Sequence, residues 1–129
     1  MIDHITIATK NVEKSKAFYE LAFQPLGYAV SFGEEDTFWA FQLDDNALFE
    51  IRAARSDEKT ITSTHVAFRV ASKNKVDEFY RAALKAGGKD NGEPDFRPQY
   101  SEGYYACFVH DPDGHNIEAM LETEISAKY

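Results

Sequence analysis

The sequence predicts an α+β fold made of two consecutive β-α-β-β-β units, and two observations support this. A short strand of alternating apolar and polar residues followed by a helical segment occurs at the start of the chain and again after residue 61. Three features also recur exactly 61 positions apart, which makes an internal duplication the simpler explanation. They are His4 and His65, Phe18-Tyr19 and Phe79-Tyr80, and Gly27 and Gly88.

The first unit starts with MIDHITIAT, whose alternation predicts a strand. A helix is predicted from residue 11, where Asn11 is a suitable N-cap, and it ends at Pro25 and Gly27. Three strands are predicted around residues 28–32, 37–43 and 47–53, because turn-forming or charged residues separate them.

The second unit repeats this order with a strand over 63–71 and a helix over 74–88. Two closing strands, YYACFVH and HNIEAMLE, are joined by DPDG, a strong turn signal. The segment from Asn91 to Gly103 is predicted to be a loop, with the Gly, Pro and Tyr content of a lid over a pocket. We expect one domain over 1–129, with module one at about 1–55 and module two at about 61–122.

Composition excludes several classes of function. A formal net charge of -8 argues against binding to nucleic acid or to an anionic membrane, since both need clustered Lys and Arg. The single cysteine, Cys107, lies in an apolar run and is expected to be inert core. Neither a signal peptide nor an apolar run of membrane-spanning length is visible, so a cytoplasmic location is expected.

Strand alternation assigns the polar residues to one side of each sheet. Because successive strand residues point to opposite faces, each strand has one apolar face that should pack on a helix. Four polar residues fall on the opposite face, together with apolar ones such as Leu48, Ala67 and Met120, which is typical of a pocket wall. The four are His4, Glu50, His65 and Glu118.

Two imidazoles and two carboxylates on such a face predict a metal site. Converging acids need a positive charge between them, and a divalent ion supplies it. Histidine and carboxylate ligands suit zinc, nickel, cobalt, manganese or iron. His115 and Glu118 are also three residues apart, but in a strand that spacing puts them on opposite faces. His110 and His115 are therefore expected at the surface.

The chain resembles the vicinal oxygen chelate superfamily, which includes glyoxalase I, extradiol dioxygenases and the bleomycin resistance proteins. The resemblance covers nearly the whole chain, and its most specific part is YYACFVHDPDGHNIEAM. It implies two βαβββ modules that form a partly open, mixed β-barrel around a metal, with the helices packed outside. It also implies that the metal ligands are those same four residues, His4, Glu50, His65 and Glu118, a set similar to that of glyoxalase I. Relatives often dimerise, so a homodimer is a further possibility.

The resemblance implies lyase- or isomerase-type chemistry of the glyoxalase kind on a small oxygen-chelating substrate. The metal would act as a Lewis acid, and Glu50 and Glu118 would share proton transfer next to a carbonyl. One alternative is a binding protein of the bleomycin-resistance kind that sequesters a ligand without catalysis. Others are an extradiol-dioxygenase-like protein and a transferase that acts on a small epoxide.

Six further residues are candidates for substrate binding. Two arginines share the inward face and could bind an anionic substrate, although a salt bridge at the rim is an equal alternative. The other four are candidates for the polar and aromatic lining of the pocket. The six are Arg52, Arg69, Arg97, Tyr100, Tyr104 and Trp39.

Overall fold

The residues that the structure describes form eight strands and two helices, in the order of two β-α-β-β-β units. The computed structural model describes residues 1–60 and 63–123. Two short 3-10 turns, at Gln24–Leu26 and Asp44–Asn46, accompany these elements. The elements are β1 (His4–Thr9), α1 (Val12–Phe23), β2 (Ala29–Glu34), β3 (Phe38–Gln42), β4 (Leu48–Ala53), β5 (His65–Arg69), α2 (Lys73–Lys85), β6 (Lys89–Phe96), β7 (Tyr104–His110) and β8 (Asn116–Glu122).

Each half of the chain forms one four-stranded mixed sheet, which confirms the predicted α+β fold. The strand orders are β1-β4-β3-β2 and β5-β8-β7-β6, and β1 and β5 run parallel to β4 and β8. Strand pairing does not join the two sheets within the described residues, so the barrel is open. Thr6 lies opposite Glu50 and Ala67 lies opposite Glu118, so the duplication extends to the register of the parallel pairs.

Local sequence explains where the helices begin. The side chain of Asn11 accepts a hydrogen bond from the backbone of Lys14, and Ser72 does the same for Lys75.

The prediction of a loop from residue 91 is wrong for its first part, because β6 continues to Phe96. β6 is an edge strand with register shifts around Gly92, and edge strands tolerate such irregularity.

The core lies where both sheets and both helices meet. Phe23 of α1 contacts Phe49 of β4 and Phe68 of β5, with ring centroids 5.7 and 5.2 Å apart. Phe49 and Phe68 also contact each other directly, at 5.4 Å. The apolar faces of the two sheets therefore share one core, and burying these aromatic rings is its main stabilising contribution.

A tight turn between β7 and β8 joins the two halves. This seam turn, residues 111–115, holds Asp111, whose two oxygens accept hydrogen bonds from the buried Tyr19 hydroxyl and from two backbone N–H groups of the turn. Asp113 accepts from the backbone N–H of Lys10, and His115 Nε2 donates to the Ala8 carbonyl. The DPDG signal therefore marks a contact between the modules as well as a turn.

Within residues 1–60 and 63–123, neither helix has the length and apolar character needed to cross a bilayer.

Candidate metal centre in two half-sites

The first half-site lies on the polar face of the first sheet and consists of His4, Glu50 and the residues that hold them. His4 Nδ1 lies 2.8 Å from Asp3 Oδ1, and Thr6 Oγ1 donates to Glu50 Oε1 at 3.0 Å. The hydrogen bond that His4 donates to Asp3 and the negative charge of Glu50 raise the pKa of His4. His4 and Glu50 therefore interact electrostatically, although no direct bond joins them.

The first half-site is open to solvent. The His4 side chain is 51% exposed, and Glu50 is half-buried. Ala40 lies opposite Glu50 on the neighbouring strand. A carboxylate oxygen accepts but cannot donate, so Nδ1 of neutral His4 carries the proton and Nε2 carries the lone pair.

The second half-site lies on the matching face of the second sheet and is closed. His65 Nε2 is 2.8 Å from Glu118 Oε1, and the Tyr104 hydroxyl donates to Glu118 Oε2 at 2.5 Å. Glu118 is only 3% exposed, whereas the His65 side chain is 44% exposed. Burial and the hydrogen bond to Glu118 raise the pKa of Tyr104 well above its usual value, so this hydroxyl remains a donor.

Aromatic rings and the guanidinium of Arg97 surround the second half-site. Phe108 lies opposite Glu118, where the first half has Ala40. Its ring is 6.0 Å from the His65 ring and 5.3 Å from the Arg97 guanidinium. Tyr100 packs edge-on against Tyr104 with centroids 5.2 Å apart, so an aromatic wall borders the buried carboxylate.

The four ligand candidates do not form one cluster within a single chain. Across the described residues, one group of at least three potential ligands has its atoms within 4.8 Å of one another, and it is Asp111, Asp113 and His115 of the seam turn. A groove of about 460 Å³ separates the halves between β1 and β5 and is lined by both Thr6 and His65. The structure thus contains two half-sites, each with one imidazole and one carboxylate.

The seam-turn group shows that the expectation for His115 was wrong. His115 is 2% exposed, because its ring lies under β1 and bonds to the Ala8 carbonyl. Its Nδ1 has no hydrogen-bond partner among the described residues. Burial raises the pKa of Asp111, although the Tyr19 hydroxyl and the backbone donors oppose this shift. The carboxylate oxygens of the group already accept hydrogen bonds that fix the turn, which gives the group a structural role.

The remaining substrate candidates occupy three different environments. Arg52 forms a two-pronged ion pair with Glu58 of the linker between the modules, at 2.8 and 2.5 Å, so the salt-bridge alternative applies to it. Arg69 is exposed, and its register partner Met120 lies on the face that carries Glu118. Trp39 pairs with the buried Ile51, on the helix-packed face, where its indole N–H donates to Glu13.

This fold and these half-sites define a protein of paired β-α-β-β-β modules whose polar sheet faces carry potential metal ligands. The chain belongs to the Glyoxalase/Bleomycin resistance protein/Dioxygenase superfamily, whose family model matches residues 1–119. Members of this family bind small-molecule substrates or ligands.

Solved structures show the same fold at low sequence identity. A glyoxalase/bleomycin resistance protein from Albidiferax ferrireducens T118 is 23% identical, with a TM-score of 0.82 over 94% of this chain and 98% of that chain. A glyoxalase-related enzyme from Fulvimarina pelagi is 22% identical, with a TM-score of 0.74 over 94% and 87%. A lactoylglutathione lyase from Agrobacterium tumefaciens is 16% identical, with a TM-score of 0.68 over 94% and 92%. A search of curated proteins found no match.

Proposed function

We propose that the protein is a glyoxalase-like, metal-dependent lyase or isomerase that moves a proton next to the carbonyl of a small oxygen-chelating substrate. One observation carries the proposal. Both sheets present one histidine and one glutamate on the polar face, and each glutamate lies opposite the residue two positions after the histidine. A duplicated donor set of two imidazoles and two carboxylates suits a divalent ion such as zinc, nickel, cobalt, manganese or iron.

The residues of the two half-sites fit such an ion. His4 presents a lone pair on Nε2, and Glu50 is held by a single hydrogen bond. In the second half-site, a hydrogen bond already joins His65 Nε2 and Glu118 Oε1, the two atoms that a cation would bind. The ion, when bound, supplies a Lewis acid that polarises a carbonyl oxygen.

The two carboxylates have different roles in this proposal. Glu50 is the more exposed acceptor, held by one hydrogen bond, and removes the proton from the carbon next to the carbonyl. Glu118 is fixed by His65 and Tyr104 and relays a proton from the Tyr104 hydroxyl to the other side of the substrate, while Glu50 releases its proton to solvent, which reprotonates Tyr104. Arg69, Tyr100 and Tyr104 border the second half-site and would orient the substrate, whereas Trp39 has no part in it.

A second copy of the chain completes the site in this proposal. The two sheets share a core through Phe49 and Phe68, so they cannot slide together to gather the ligands without disrupting it. A homodimer can instead place His4 and Glu50 of one copy against His65 and Glu118 of the other. A cytoplasmic location stays a prediction from the sequence.

Metal content tests the proposal. Protein purified without a metal-affinity tag is expected to contain about one divalent ion per chain by elemental analysis. Glu50→Ala and Glu118→Ala should each lose it, whereas the matched surface control Glu20→Ala should keep it. Wild-type protein that takes up no divalent ion would refute the proposal.

Mixing the two inactive variants tests the arrangement of the site. If each site combines two copies, a dimer of one Glu50→Ala chain and one Glu118→Ala chain contains one intact site and one site without either glutamate. Unfolding and refolding the variants together should therefore restore metal binding and turnover. If neither recovers although mixed dimers form, the site does not lie between copies.

Hemithioacetal consumption is the first activity to assay, with each divalent ion in turn. Turnover by the metal-loaded wild type, lost in Glu50→Ala, is the expected result. Metal-loaded protein without turnover would exclude the glyoxalase subclass, and dioxygen uptake with iron would favour the extradiol-dioxygenase alternative.

A binding protein of the bleomycin-resistance kind is the second candidate, and one observation favours it. His65, Glu118 and Tyr104 satisfy one another without a metal, and the neighbouring groove of about 460 Å³ is large enough for a small ligand. Metal-free protein that binds an apolar ligand equally well in the wild type and in Glu50→Ala would support this candidate.

A further inference from the structure

Arg97 follows edge strand β6, and its guanidinium is fixed over the polar face of the second sheet. Nη2 donates to two backbone carbonyls, those of Glu93 and Ala106, the second at 3.3 Å. Cζ lies 5.3 Å from the centre of the Phe108 ring, which is within the range of a cation–π contact. Because these contacts already hold the side chain, a ligand that binds to it has little side-chain entropy left to remove.

Gly92 provides the space in which this guanidinium lies. It pairs with Phe108 in an irregular stretch of β6, and its φ of 149° is a conformation that favours glycine. A Cβ on Gly92 would lie 2.9 Å from Phe108 Cδ2 and 3.3 Å from Arg97 Nη2. Any other residue at this position would therefore crowd both the ring and the guanidinium.

The positive charge of Arg97 has no acidic partner. The formal net charge is -8, yet within the part of the chain that the structure describes Arg97 forms no ion pair with a carboxylate. Its Nε is buried without a hydrogen-bond partner. Since the two carbonyls occupy Nη2, Nη1 keeps both of its N–H groups for an acceptor from outside the chain.

Phe108 connects Arg97 to the second half-site. It lies opposite Glu118, and its ring centroid is 6.0 Å from that of His65. One aromatic ring therefore separates the guanidinium from the imidazole of the proposed metal centre. A substrate that is chelated by a metal there can extend across this ring, so that a group at its other end reaches Arg97.

We propose that Arg97 is a specificity-determining residue that binds a carboxylate or phosphate group at the end of the substrate remote from the metal. The substrate class is then a small molecule with two neighbouring oxygens at one end and an anionic group at the other. Such a molecule is favoured over a neutral one, because a charge-assisted hydrogen bond is about twice as strong as a neutral one. This inference rests on the proposed metal-dependent function.

Three hydroxamate probes of equal length test the proposal, because a hydroxamate chelates a divalent ion through two oxygens. The first ends in a carboxylate, the second in a phosphonate and the third in a neutral amide. By calorimetry, the zinc-loaded wild type should bind at least one anionic probe about tenfold more tightly than the amide probe. Which of the two binds more tightly distinguishes a carboxylate from a phosphate substrate.

Arg97→Gln should abolish this preference and leave the affinity for the amide probe unchanged. Arg81→Gln is the matched control, since it removes one exposed arginine of α2, and it should keep the preference. Arg97→Lys retains the charge without the planar fork, so it should keep a smaller preference. A merely structural role of Arg97 would weaken the binding of all three probes equally.

The outcomes separate the two levels of the argument. Equal binding of the three probes by the zinc-loaded wild type, or a preference that survives in Arg97→Gln, overturns the inference. If the wild type takes up no zinc, the proposed metal-dependent function fails, and inorganic phosphate then probes Arg97 in the metal-free protein. A saturable shift of the Arg97 Nε–Hε signal in ¹H–¹⁵N spectra, without one for Arg81, would support an anion site, whereas equal shifts would overturn it.

Discussion

The two halves of this protein share strand order and register, but their equivalent carboxylates lie in opposite environments. Glu50 is half-exposed and bonded by Thr6, whereas Glu118 is buried between His65 and Tyr104. Ala67 replaces Thr6 at the equivalent position and cannot donate, so Tyr104 and His65 bind the second carboxylate instead. The two halves therefore have the same backbone register, whereas their different side chains leave the first half-site open and the second closed.

The largest expected effect follows from breaking the contact between the halves. Asp111→Ala removes the acceptor of the buried Tyr19 hydroxyl and of two backbone N–H groups, so we expect a loss of about 3 kcal/mol in the free energy of unfolding. Urea unfolding can follow each half separately. Trp39 fluorescence reports the first half, and alkylation of Cys107 reports the second, because each is the only residue of its type.

The wild type should show one midpoint for both reporters, because the halves share a core. Cys107 should be unreactive before unfolding, since burial raises the pKa of its thiol to about 12. Separate wild-type midpoints would contradict the account of a shared core.

A matched pair of alanine variants measures the difference between the half-sites. Glu118→Ala leaves the Tyr104 hydroxyl and the His65 ring without their acceptor, so it should destabilise the metal-free protein by about 2 kcal/mol. Glu50→Ala removes a more exposed group and should stay within about 0.5 kcal/mol of the wild type. Equal losses in urea unfolding would show that the second half-site is not the closed one.

The smallest expected effect concerns the linker between the halves. The hydrogen bond from Arg52, helped by the backbone N–H of Arg55, lowers the pKa of Glu58 from 4.5 to about 2. Because the folded-state pKa lies below the unfolded value, this ion pair stabilises the fold above pH 4.5, and the contribution disappears as the pH falls toward 2.

Thermal unfolding at a series of pH values measures this contribution. The difference in melting temperature between the wild type and Glu58→Gln should be largest near neutral pH and should shrink over that acidic range. A difference that does not change with pH would mean that the pair contributes nothing through its charge.

Much of the fold could be predicted because hydrophobic alternation and the repeat report directly on backbone structure. The faces of Glu50 and Glu118 followed from strand period alone. DPDG predicted the seam turn, but its contact with the other half could not be predicted, because the hydrogen bond of His115 with Ala8 joins residues 107 positions apart. Gly92 and Pro94 predicted a loop, but this segment is an edge strand, which tolerates both residues. The ion pair of Arg52 could not be predicted, because its partner Glu58 lies in a linker without hydrophobic periodicity.

Identifying the ligands of the bound metal is the most direct test of whether both half-sites bind one ion. X-ray absorption at the metal edge of the loaded protein can count the imidazoles bound to the ion. We predict two in the wild type, and one in each of the variants His4→Ala and His65→Ala. Two imidazoles in either variant, or a metal whose ligand set changes only in Asp113→Asn at the seam turn, would contradict the account.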